Sequence, residues 1–259
     1  MLTNKVALVT GSTSGIGLAI ANGLAQSGCR LMLNGFGSPD QIDAARAAVG
    51  AHGQEVDYNG ADLSRTEQVE SMIRDTERRF GRIDILVNNA GIQHTARVDG
   101  FPPDKWDAII AINLSSAFHA IRCALPGMQS RNHARIVNIA SVHGLVGSIE
   151  KSAYVAAKHG ILGLTKVVAL ENAEADITCN AICPGWVLTP LVQKQIDDRA
   201  KREGIDAAQA ERALLAEKQP SLRFTKTQDI AEAVRYLCGP GGGNITGTTI
   251  TLDGGWSAR

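Results

Sequence analysis

Lys5-Val-Ala-Leu-Val-Thr-Gly11-Ser-Thr-Ser-Gly15-Ile-Gly17 is the stretch on which the fold turns. Lys5 to Thr10 is a short apolar run with the character of a strand buried on both faces. A turn punctuated by glycine follows, then the alternation LAIANGLAQSG, which predicts a helix stopped by Gly28. Glycines at such a junction let the backbone approach a pyrophosphate, and the helix N-terminus offers unpaired N–H groups and a favourable dipole. The spacing is G-x-x-x-G-x-G, not the G-x-G-x-x-G of the long dinucleotide fingerprint. Strand, glycines and helix in this order favour nucleotide binding over a plain tight turn.

Working outward, strands alternate with helices. Arg30 to Asn34 reads as a second strand, Pro39 to Gly50 as a surface helix, and Gln54 to Gly60 as a weaker third strand. A charged helix over Thr66–Phe80 leads to the apolar strand Ile83–Val87 and then Asn88-Asn-Ala-Gly91. A long helical region covers Trp106–Met128, a second helix runs from Tyr154 to about Asn172, and Ile177–Ile182 and Gly247–Leu252 read as the last strands. This order implies a parallel sheet with right-handed crossovers. Pro184 to Thr225 breaks the alternation with a Pro-Gly turn and a charged amphipathic helical stretch. It reads as a solvated insertion or as a mobile lid, since it follows the C-terminal end of a strand, where ligands bind in open α/β sheets.

The chain has 259 residues, 44% of them hydrophobic, which suits one α/β domain with a large core. Lys+Arg and Asp+Glu both number 26, so there is no basic footprint for nucleic acid and no polybasic patch for a membrane surface. No uninterrupted apolar run approaches the ~20 residues of a membrane span. The N-terminus enters a strand pattern directly, without a signal-peptide layout. Cys29, Cys123, Cys179, Cys183 and Cys238 are odd in number and scattered, which points to reduced core thiols and a cytoplasmic location. No His or second Cys pair stands near Cys179 and Cys183, so no metal site is expected.

The chemistry concentrates in Ile136–Lys158, IVNIASVHGLVGSIEKSAYVAAK. An apolar strand ends near Ser141, and Tyr154 and Lys158 stand one helical turn apart, on one face. Tyrosine is a poor base because its unperturbed pKa is about 10, and a nearby cation favours the phenolate. A serine hydroxyl at the adjacent strand end can hold a substrate oxygen while the tyrosine moves its proton. A Tyr–Lys pair at this spacing is common on helices, and on its own it decides nothing.

Together the motifs resemble the short-chain dehydrogenase/reductase family. Thr10-Gly11-x-x-x-Gly15-x-Gly17, Asn88-Asn-Ala-Gly91, Asn113, Ser141, Tyr154-x-x-x-Lys158 and Pro184-Gly185 follow its order along essentially the whole chain. The resemblance implies a single-domain Rossmann fold over 1–259, an α/β architecture with a seven-stranded parallel sheet flanked by helices, and a helical lid at about 187–225 within it. It implies Tyr154 as acid/base, Ser141 as hydrogen-bond partner of the reacting oxygen, and Lys158 as ligand of the nicotinamide ribose that lowers the tyrosine pKa. Asn113 resembles the residue that holds a water linking the lysine to solvent.

The cofactor implied is NAD. Gly11, Thr13, Gly15, Ile16 and Gly17 would line its pyrophosphate, and Asp62 and Leu63 its adenine. Asn89, Ala90, Gly91, Tyr154, Lys158, Pro184, Gly185, Val187 and Thr189 would line the rest, with the last two near the carboxamide. The Asp that NAD-preferring relatives usually carry at the end of the second strand is replaced by Asn34-Gly-Phe-Gly37, with Phe36 free to pack against adenosine. No cation for a 2′-phosphate stands in Ser12–Ser14 or Asn34–Ser38.

Gln93, His143, Lys151, Trp186, Gln195 and Trp256 resemble the polar and aromatic set of the family's branch that oxidises 3-hydroxybutyrate in bacteria. A small carboxylate needs a cation and several donors, and these residues with Ser141 and Tyr154 supply them. The expected substrate is therefore (R)-3-hydroxybutyrate. A 3-oxoacyl thioester, a sugar or a steroid is the nearer alternative, and a nucleotide-sensing regulator the remote one, disfavoured because Asn113, Ser141, Tyr154 and Lys158 are all retained. Family relatives are commonly tetramers, and the small positions Ala111, Ser115, Ala156, Ala157, Gly160 and Gly163 permit close helix packing.

Overall fold

The computed structural model describes residues 2–258, apart from the side chains at positions 190 and 191. Seven strands, β1 (Val6–Val9), β2 (Arg30–Asn34), β3 (Val56–Asn59), β4 (Ile85–Asn88), β5 (Ala134–Ile139), β6 (Ile177–Pro184) and β7 (Thr249–Leu252), form one sheet in the order β3-β2-β1-β4-β5-β6-β7. Every pairing is parallel. The expected seven-stranded parallel sheet is thus observed. All residues of β1, β4, β5 and β6 are buried, so these strands are mainly apolar without a regular alternation, and the polar residues within them, Asn88, Arg135, Asn138, Thr178 and Asn180, are buried too.

Helices cover both faces. On one, α1 (Gly15–Gln26) brings Ile20 and Leu24 against Ile230, Val234 and Leu237 of the C-terminal helix Thr227–Cys238. On the other, α3 (Thr66–Phe80) contributes Met72 and Ile73 to a core shared with Ile121, Met128 and Val168. α2 (Pro39–Gly50) links β2 to β3, and its N-terminus is closed by a Ser38–Gln41 capping box. The chain order reverses between β1 and β4, so a cleft opens there at the strands' C-terminal ends.

Two segments depart from the expected elements. The region expected as one helix over Trp106–Met128 is α4 (Pro103–Ile110), a π-helical turn Ala111–Ser115, and α5 (Ser116–Ser130). The Pro184–Thr225 insertion is a hairpin of α7 (Pro190–Glu203) and α8 (Ala207–Lys218). Gly204, at φ +66°, ends α7, and Asp206 with Gln209 caps α8. Val192, Ile196, Ala210 and Leu214 form a small core between the two helices. α6 (Ser152–Glu171) and α9 (Thr227–Cys238) complete the set, and α9 was not foreseen.

The continuous helical stretches Pro103–Ser130 and Ser152–Glu171 are long and apolar enough to cross a membrane. Here they lie on the sheet, with Ala120, Ala124 and Met128 of α5 and Ile161, Thr165 and Val168 of α6 buried against it. Phe118, Val167 and Leu170 remain on their outer faces.

Candidate active site

The nucleotide end is built from backbone. A Cβ on Gly17 would overlap the Gly11 carbonyl oxygen, and one on Gly11 would stand 2.9 Å from the Ala90 Cα, so this turn closes only with glycine. Gly11 and Gly15 both have positive φ, at +63° and +55°. Asn89 locks the turn from the far side, its Nδ2 donating to the Thr10 and Gly11 carbonyl oxygens at 2.9 and 3.1 Å. The Asn89 and Ala90 N–H groups donate to Thr10 Oγ1. Ser14 places no side-chain cap on α1, which leaves the helix's first N–H groups free to meet an anion. A narrow cradle walled by backbone, opening on a bare helix end, fits a dinucleotide pyrophosphate.

At the adenosine end, Asn34 does structural work. Its Nδ2 donates to the Asn59 and Ala61 carbonyl oxygens at 3.0 and 3.1 Å, and its Oδ1 accepts from the Gly11 N–H at 3.4 Å. Thr13 Oγ1 donates to the Phe36 carbonyl oxygen, fixing the loop after β2 and leaving the Phe36 ring 69% exposed. The Asp62 carboxylate accepts from the Ser64 N–H and Oγ, which hold it below the usual carboxylate range. Leu63 beside it is buried.

The reactive end lies where β5, α6 and β6 meet. Ser141 sits just past β5 in extended conformation, its Oγ accepts from the His143 N–H at 3.2 Å, and its hydroxyl hydrogen-bonds the Tyr154 phenolic oxygen in the sense that favours the phenolate. Lys158 Nζ lies 5.6 Å from the centre of the Tyr154 ring and donates to the Ile139 carbonyl oxygen at 2.7 Å. Burial raises the Tyr154 pKa, and the Ser141 hydrogen bond pulls in the opposite direction. Burial likewise lowers Lys158 to about 8. In the free protein burial thus sets the direction at both groups, opposing the charged form of each. Asn113, in the π-helical turn, is buried and clamps Ile92 from both sides, accepting from its N–H at 2.8 Å and donating to its carbonyl at 2.9 Å.

One cavity of about 470 Å³ gathers Gln93, Ser141, His143, Lys151, Tyr154, Trp186, Gln195 and Trp256, the whole expected substrate set. It continues along Ile16, Asn89, Gly91, Lys158, Pro184, Gly185, Val187 and Thr189. Gly11, Thr13, Gly15, Gly17, Phe36, Asp62, Leu63, Ala90 and Asn113 lie outside its lining, at the nucleotide end or behind the wall. The His143 ring stands edge-on to Tyr154 and Trp256, with centroids 5.9 and 5.2 Å away. Its Nδ1 lies 3.3 Å from Ser141 Oγ, while Nε2 is buried without a partner. Burial, then Lys151 and Lys218, push this imidazole down to about 3, so it is neutral at neutral pH. Trp186 Nε1 is likewise buried and unpartnered. A donor or acceptor buried without a partner costs free energy unless a ligand completes it.

Several contributors were not anticipated. Ile92, Val142 and Val192 add apolar wall. Gln219 Oε1 accepts the Trp186 N–H at 2.8 Å and presses against Gly185, where a Cβ would stand 2.6 Å from it. The Cys183 thiol, pushed up to about 11 by burial, stays neutral beside Tyr154 and Lys158. Such partners are far apart in sequence and carry no local signal. Among the described residues no cluster of His, Cys, Asp or Glu is arranged to hold a metal ion.

A family model described as short chain dehydrogenase matches residues 5–200. The chain is 55% identical over 261 residues to the D-beta-hydroxybutyrate dehydrogenase of Cupriavidus necator, covering 100% of both. It is 50% identical over 256 residues to that of Rhizobium meliloti, covering 98% of this chain and 99% of the relative. Among solved structures, NAD+-bound xylitol dehydrogenase superposes with a TM-score of 0.89 at 31% identity, over 98% of this chain and 99% of that one.

Proposed function

This chain belongs to the short-chain dehydrogenase family, and on that footing we propose that it interconverts (R)-3-hydroxybutyrate and acetoacetate with NAD as cofactor. The observation that carries the reading is the placing of Lys151 and the unpartnered His143 Nε2 in one cavity with Ser141 and Tyr154. A carboxylate at the first pair sets a short 3-hydroxy acid with its hydroxyl toward the second. Trp186 and Trp256, packed 5.9 Å apart, bound the cavity and favour a short chain over an acyl thioester or a steroid.

NAD, held by the glycine turn, Asn89, Lys158 and the Pro184–Thr189 segment, supplies the hydride acceptor. As the phenolate, which the positive charge of a bound oxidised nicotinamide and of Lys158 would favour over the buried phenol, Tyr154 takes the proton of the substrate hydroxyl through its phenolic oxygen. Ser141 Oγ, which accepts from the His143 N–H, turns its one proton away from His143 Nδ1 to the same substrate oxygen. In its Nε2–H tautomer His143 offers the carboxylate a donor, and Gln93 and Gln195 add theirs. The α7–α8 hairpin acts as a lid that brings Gln195 over the bound acid.

Assembly and location extend the proposal. The outer faces of α5 and α6, with Phe118, Val167 and Leu170 exposed, support a homotetramer. Five free cysteines support a reducing, cytoplasmic setting. The deciding assay mixes the purified protein with NAD and each enantiomer of 3-hydroxybutyrate and follows NADH absorbance. Rapid reduction with the R acid alone is expected; equal rates with both enantiomers, or turnover of a bulky thioester only, would overturn the reading.

A further inference from the structure

Lys218 ends α8, and its side chain reaches back toward the cavity. Its Nζ donates to Ser148 Oγ at 3.2 Å, in the loop leading to Lys151, and lies 5.2 Å from the centre of the Trp256 ring. Lys151 Nζ stands 5.7 Å from the centre of the Trp186 ring. The two indoles pack against each other at 34°. Two ammonium groups thus each rest on one ring of a tryptophan pair at the wall of one cavity. Lys5, Lys105 and Lys194 form ion pairs, but among the described residues neither Lys151 nor Lys218 does. Glu217, next to Lys218 in the chain, is turned away to Arg199 at 2.5 Å.

Two like charges at one pocket disfavour each other and gain only a little from the aromatic faces. An anion in the cavity reverses that balance, because both charges then attract it. We propose that Lys218 is the second cation of this site: from behind Trp256 it adds to the field of Lys151 and selects an acid over its neutral analogue. The proposal rests on the reading of the cavity as a carboxylate site. Lys218 does not line the cavity, so it is a specificity-determining residue acting through field and position. The competing explanation is mechanical, a hydrogen-bonded brace from the end of α8 to the Ser148 loop.

Charge and brace separate in one set of variants. Butyrate, which lacks the reacting hydroxyl, and its neutral amide are titrated as competitive inhibitors of the NAD-loaded protein. Wild type is compared with Lys218→Gln, which keeps a donor for Ser148 but loses the charge, Lys218→Met, which loses both, and Lys218→Arg, which keeps both. Both neutral variants should bind butyrate about three- to tenfold more weakly, a moderate effect because the charge is partly exposed and acts through an intervening ring. Butyramide should be unaffected, and Lys218→Arg should bind butyrate as wild type does. If Lys218→Gln matches wild type, or if acid and amide weaken together, the brace explains everything and the second-cation assignment is overturned. If wild type itself prefers butyramide, the carboxylate reading fails and carries this inference down with it.

Discussion

Replacing Lys151 with methionine removes one ammonium and keeps most of the aliphatic stem over Trp186. A charge-assisted hydrogen bond contributes roughly 1.5–3 kcal/mol, so kcat/KM for 3-hydroxybutyrate should fall on the order of ten- to a hundredfold. The loss should appear mainly in KM, because a carboxylate remote from the reacting carbon is held equally in ground and transition states. The amide or methyl ester, poor for wild type, should be no worse for the variant. Stability should move the other way. Burial, and after it Lys218, hold the Lys151 ammonium below its ordinary pKa, so the folded state binds this proton more weakly than the unfolded chain does. Wherever the folded protein keeps this proton it carries the cost of the buried charge, and removing the charge should raise the Tm of the free protein. Steady-state kinetics on acid and amide, with a thermal melt of each protein, make the test. Equal losses on both substrates would mean that Lys151, which directly follows the positive-φ residue Glu150, merely sets the start of α6.

Further outcomes follow from neighbouring groups. Tyr154→Phe should keep fold and NAD binding and lose at least about 10²-fold in kcat, the lower range for acid–base catalysis; near-normal turnover would remove the tyrosine from its role. Asn34→Asp, which would look like a gain for NAD, should instead destabilise by about 2–4 kcal/mol, because two donors aimed at carbonyl oxygens become acceptors; urea unfolding at matched stability would refute this. Lys158 loses its proton near pH 8 when folded, against 10.5 as its ordinary value. The unfolded state then binds more protons between those values, so this group makes the free protein more stable as pH rises through that window. Lys158→Met should be stabilised relative to wild type below pH 8, with the difference shrinking toward 10.5; unfolding curves that keep a constant offset would rule out the shift.

The parallel sheet was legible because β1 and β4 are buried on both faces and are therefore written almost wholly as apolar runs. Tyr154 and Lys158 were legible because helical geometry places residues four apart on one face. α9 was missed although Ile230, Ala231, Val234, Leu237 and Cys238 fall at helical spacing; the charged hairpin before it blurred where an element should begin. Asn34 shows a different limit. In sequence it registers only as the replacement of a ribose-binding Asp, and only the fold reveals that its amide is committed to β3 and the glycine turn. The Lys218–Ser148 contact joins residues 70 apart, and the low pKa of Lys158 comes from burial, so neither has a local signature.

The π-helical turn at Ala111–Ser115 has a consequence for how this chain tolerates change. Such a turn is a helix with one residue too many, and each residue added to a helix advances its face by about 100°. Everything downstream in α5 is phased by that extra residue, including the side of the helix that meets the sheet. Excising it would let Pro103–Ser130 run as a regular helix with better backbone hydrogen bonding, and would swing Asn113 out of reach of Ile92. The helix is thus kept out of its most regular winding at the point where its amide holds Ile92 in the cavity wall, and length changes there, unlike those in a surface loop, should remove function before they remove the fold.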